Sequence, residues 1–109
     1  MAFDEGLADR IRDALAGEPG LTGKKMFGGY GFCLDGNMCV GIEQDRLVAR
    51  VPADQYQDLL GQPNVTQFPN PDRPMKGWVA VAGDSLTEDE DLTRWVYLGV
   101  SIARSLPSK

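Results

Sequence analysis

The side chains best suited to covalent chemistry in this sequence are two thiols, Cys33 and Cys39. Both stand in runs of alternating apolar residues, so strand pairing decides whether they meet. If Asp35, Gly36 and Asn37 form a three-residue loop, Leu34 faces Met38, Cys33 faces Cys39 and Gly31 faces Gly41. Directly opposed residues on antiparallel strands have Cα atoms ~4.5–5.5 Å apart, a separation a disulfide spans with some strain. The same register sets Arg50 opposite Cys39, and a nearby cation lowers a thiol's pKa. Two readings follow. One is a strained, reversible cross-strand disulfide on the sheet face away from the helices. The other, which we prefer, is a pair of reduced thiols on a small-residue face that packs against a partner subunit, because free thiols are the default in a reducing compartment.

The remaining chemistry is narrowed by an absence. The chain has no histidine, so Ser-His and Cys-His nucleophile pairs are not available within it. Two cysteines without histidine also fall short of a closed structural zinc site. The glycines of Met26-Phe27-Gly28-Gly29-Tyr30-Gly31 lack the spacing of either phosphate-binding fingerprint; between two strands they read as a bend or bulge. The acidic run Glu88, Asp89, Glu90 and Asp91 begins a helix, where negative charge complements the dipole. Lys24, Lys25, Arg73 and Lys76 can be drawn as a basic patch for an acidic partner or nucleic acid, or as scattered surface charge, the commoner case. We expect no catalytic residues, no cofactor and no metal.

Those residues must be positioned by a small set of elements. Phe3, Leu7, Ile11 and Leu15 form one apolar stripe of a first helix, ended by Gly17, Pro19 and Gly20. Four extended runs follow, 24–28, 30–34, 38–42 and 46–51, punctuated by Gly28-Gly29, Asp35-Gly36-Asn37 and Gln44-Asp45. With a two-residue loop at Gln44-Asp45, one face of this meander reads Phe32, Leu34, Met38, Val40, Ile42, Leu47, Ala49, Val51. A two-residue Asp35-Gly36 loop is the stronger local turn signal, but it pairs Phe32 with Cys39 and mixes the faces, so the three-residue loop is preferred.

Pro52 can open a short helix through Tyr56, Leu59 and Leu60, closed by Gly61. Residues 62–74 are proline-rich loop, with a short edge strand at 65–68. Residues 76–82 form a strand with Trp78 and Ala80 on one side and Val79 and Val81 on the other. A final helix begins at a capping box of Thr87 and Glu90 and buries Leu92, Trp95, Val96, Gly99, Ile102, Ala103 and Leu106 before Pro107. Trp78 and Trp95 are expected in the core. The order predicts a two-layer α+β domain, an antiparallel meander with its N- and C-terminal helices on one face.

The totals agree with a single domain across all 109 residues. A net charge of −5 gives no general support to phosphate-backbone binding. No apolar run is long enough for a transmembrane helix, and the charged N-terminal stretch is not a signal peptide. A cytoplasmic location is expected.

The run Met26-Phe27-Gly28-Gly29-Tyr30-Gly31-Phe32, followed by Asp35-Gly36-Asn37-Met38, resembles the N-terminal domain family of the bacterial competence regulator TfoX/Sxy. Pro74-Met75-Lys76-Gly77-Trp78-Val79 and the closing Trp95 helix, ending in Ser105-Leu106-Pro107, are similar to stand-alone members. The resemblance implies a secretion-chaperone-like α+β fold, often dimeric, with a regulatory or unassigned role and no agreed catalytic residues. Cys33 and Cys39 stand where relatives often carry aromatic or aliphatic residues. The expectation is therefore a non-enzymatic regulatory or protein-interaction module, homodimeric, with a small nucleic-acid-binding accessory as the alternative.

Overall fold

The computed structural model describes residues 3–26, 29–68 and 72–107. Helix α1 spans Glu5–Ala14, with the Asp4 carboxylate accepting from the Leu7 amide at 3.1 Å as its N-cap. Its apolar stripe is buried at Leu7, Ile11 and Leu15. Phe3 precedes the helix and bridges to Gln44 instead.

Strands β1 (Leu21–Met26), β2 (Gly29–Leu34), β3 (Asn37–Glu43) and β4 (Arg46–Arg50) form the meander. The first of these begins three residues earlier than the charged run Lys24-Lys25 suggests. A 3-10 turn at Ala53–Gln55, with Pro52 just outside it as N-cap, leads into α2 (Tyr56–Leu60). Strands β5 (Val65–Gln67) and β6 (Trp78–Ala82) follow, then α3 (Asp89–Ser105). Among the described residues the six strands make one antiparallel sheet in the order β1-β2-β3-β4-β6-β5. The α+β architecture with terminal helices is therefore the one expected.

Both long helices lie on one face. α3 crosses β2, β3 and β4, and α1 packs against α3 and β3. The core between the layers joins Leu7, Ile11 and Leu15 to Phe32, Val40, Ile42, Leu47, Ala49, Val79 and Val81 from the sheet, and to Leu92, Trp95 and Val96 from α3. Alternation along each strand places these residues together. The pairs Phe32↔Val40, Tyr30↔Ile42, Ile42↔Leu47 and Val40↔Ala49 are those expected. So is the two-residue loop at Gln44-Asp45, which leaves Glu43 opposite Arg46.

The turn between β2 and β3 corrects the expected register. It is a two-residue loop: Leu34 pairs with Asn37, and Asp35 and Gly36 both have positive φ, 52° and 86°. That is the signature of a tight primed hairpin turn. The register then shifts between Phe32 and Cys33. One extra residue in β3 restores the apolar alignment from Val40 onward. The local turn preference and the apolar face are both satisfied, at the expense of a bulge.

The start of α3 is also corrected. Glu88, not Thr87, is the N-cap, and no side chain caps the helix. The first turn still carries Asp89, Glu90 and Asp91, with Asp89 reaching Arg10 of α1 at 3.2 Å. Arg104 in the last turn holds Asp35 at 2.9 Å, Glu18 at 3.1 Å and the Pro19 carbonyl at 2.8 Å. It thereby ties the β2–β3 turn and the loop before β1 to α3.

Candidate functional site

The bulge separates the two thiols expected to face each other. Cys33 pairs with Met38, and Cys39 is the additional residue. Cys39 is fully buried within the main core, whereas Cys33 is buried outside that cluster. The opposed-pair geometry that argued for a cross-strand disulfide is absent, and both thiols are free.

The expected activation by Arg50 is overturned as well. The Cys39 thiol donates to the Phe32 carbonyl at 3.4 Å. Burial, reinforced by the neighbouring Cys33, pushes its pKa up from 9.0 to about 11. Desolvation disfavours the thiolate, and the Arg50 guanidinium is engaged elsewhere, on the Met38 carbonyl and the Trp78 ring.

A raised acid pKa favours the protonated form in the folded state. The stabilisation is complete below pH 9 and is lost as pH rises from about 9 to about 11. The chain should lose on the order of 1–2 kcal/mol relative to Cys39→Ser over that window. Parallel urea stabilities of the two proteins across the window would refute this.

The other face of the sheet is not the bare surface its glycines suggest. Val48 and Ala80 are 2% and 1% exposed, yet lie outside the main core. Residues on either side of 69–71, between β5 and β6, stand in front of this side. Phe68 and Met75 join through an amide–carbonyl bond of 2.7 Å and, with Trp78, stand over Val48, Gly41 and Met38. Between them is an apolar cleft of about 110 Å³. Gly41 is required there: a Cβ on it would fall 2.8 Å from the Tyr30 carbonyl oxygen and 3.0 Å from the Met38 methyl.

Trp78 was expected in the core. It is instead half-buried on this second face, while Trp95 is in the core. Arg50 pairs with Trp78 across β4 and β6, and its guanidinium carbon sits 5.4 Å from the ring centroid. Glu43, ion-paired to Arg46, also lines the cleft.

The four basic residues fall into two pairs. Lys24 and Lys25 are exposed on β1 at the sheet edge, and Arg73 and Lys76 are exposed in the loop entering β6. β2, β3 and β4 lie between β1 and β6. Phe27 and Gly28 of the glycine run lie outside the described residues. Among the described residues no three His, Cys, Asp or Glu side chains are grouped to hold a metal ion. None of their helices is long and apolar enough to cross a membrane.

Comparison with known proteins adds two findings. Residues 13–103 match the family model of the TfoX N-terminal domain. The fold is similar to that of Deinococcus radiodurans protein DR2400, a crystal structure carrying a DUF419 domain. The two superpose with a TM-score of 0.70 over 94% of this chain and 78% of that one, at 19% identity. No curated protein matches the sequence.

Proposed function

Because the chain belongs to the TfoX N-terminal domain family, we propose that it is a non-enzymatic regulatory or protein-interaction module that works as a homodimer. The family match across 13–103 carries the reading. The sequence supports it by lacking histidine, and with it the common general base of neutral-pH catalysis. The net charge of −5 and the division of the basic residues into two pairs weigh against the nucleic-acid alternative.

The second face of the sheet was the expected dimer contact. Gly41 and Val48 there line a cleft walled by Phe68, Met75 and Trp78 of the same chain. The dimer contact is better drawn at β1. Thr22, Gly23, Lys24 and Lys25 are exposed there, on a strand that among the described residues pairs with β2 alone. A strand edge offers unpaired amides and carbonyls to a second strand.

Light scattering at micromolar concentration should give twice the chain mass of 11.9 kDa. A single-chain mass would remove the dimer. Binding to DNA or RNA that falls steeply with salt would replace this reading with the nucleic-acid one.

A further inference from the structure

The cleft on the second face of the sheet combines two features that a stable fold does not require together. Its walls are mainly apolar: Met38, Val48, Phe68, Met75 and Trp78, over the bare backbone of Gly41, with Glu43 also lining it but neutralised by its ion pair to Arg46. Its volume of about 110 Å³ is of the same order as the ~150 Å³ apolar cavity known to admit a benzene ring. Arg50, half-buried and outside the lining itself, touches two of these walls, with its guanidinium over Trp78 and a long 3.5 Å contact to the Met38 carbonyl.

Two residues that hold Arg50 are thus also walls of the cleft. Among the described residues Arg50 has no carboxylate partner, whereas Arg46, four residues earlier on the same strand face, is paired with Glu43. A guanidinium is a planar fork suited to a carboxylate. Apolar pockets take the body of a ligand, and a few polar groups at the rim fix its orientation.

We propose that this cleft binds a small amphiphilic anion, a monocarboxylate with one aromatic ring or a short aliphatic chain, its apolar part against Met38, Val48 and Met75 and its carboxylate on Arg50. The site lies within one chain, so it stands or falls independently of dimerisation. Met75, 46% exposed, forms the outer wall, and its unbranched side chain can close over ligands of differing shape.

The test uses the full chain labelled at the methionine methyl groups, with phenylacetate as probe and phenylacetamide as its neutral counterpart. Phenylacetate should shift the Met38 and Met75 methyl signals saturably. Arg50→Gln should weaken it about tenfold, the value of a lost charge-assisted hydrogen bond. Phenylacetamide should bind the native protein more weakly than phenylacetate and should not distinguish the native protein from Arg50→Gln. Met75→Glu, a change at an exposed position, should weaken phenylacetate by like-charge repulsion, read at Met38. No saturable shift of Met38 and Met75 up to about 10 mM phenylacetate, an affinity weaker than ~3 kcal/mol, overturns the proposal. Equal binding of acid and amide, or of native and Arg50→Gln proteins, overturns the role of the anion.

Discussion

Replacing Gly99 by alanine should destabilise the chain by about 3 kcal/mol, in the range of severe overpacking. Helix propensity alone predicts the opposite sign, since alanine is favoured over glycine in a helix interior by ~1 kcal/mol. The packing decides. Gly99 lies mid-way along α3, where that helix passes over the β3 bulge. A Cβ there would overlap the carbonyl oxygen of Cys39 and lie 2.8 Å from its carbonyl carbon. These are backbone atoms, so no side chain can swing aside. Either the helix lifts from β3, exposing Val96 and Val100 beside it, or the bulge rearranges. Urea unfolding measures the outcome. A gain in stability approaching the propensity value would mean that α3 does not approach β3 this closely.

The same bulge marks where reading the sequence reaches its limit. The core face was legible because alternation is a period-two signal: Phe32, Val40, Ile42, Leu47 and Ala49 share a side wherever the strands pair. A bulge breaks that period by one residue at one place. Nothing at Cys39 announces it, because cysteine is small and apolar and fits either face. The tension was visible all the same. Asp35-Gly36 asked for a two-residue turn and the apolar pattern asked for three, and the structure reconciles them by inserting the odd residue.

The candidate site was less legible for a different reason. Alternation correctly set Trp78 and Ala80 opposite Val79 and Val81. Which of the two sides faced the helices was not encoded in β6 itself. Residues 62–74 read as proline-rich loop, and the signal that its surroundings line a cleft was two apolar residues, Phe68 within it and Met75 just after it. Neither has a periodic partner, so their placement beside the cleft depends on contacts far away in sequence. Arg50 was assigned to the wrong neighbour because the unbulged register turned the Cys39 thiol toward it.

The two faces of the sheet should respond unequally to truncation. Leu47 and Val48 are adjacent in β4 and almost equally buried, at 0% and 2% exposure. Leu47 is enclosed on the helix side, opposite Ile42 on β3 and Val81 on β6. Leu47→Ala leaves a closed void that its neighbours fill only in part, and should cost about 3–4 kcal/mol. Val48 already borders the open cleft. Its truncation enlarges space that exists rather than creating a sealed cavity, which leaves mainly the transfer cost of the lost methyl groups, about 1–1.5 kcal/mol. Comparable losses in the two variants would mean that the second face is packed as tightly as the first, and a cleft able to receive a ligand would then have no room to exist.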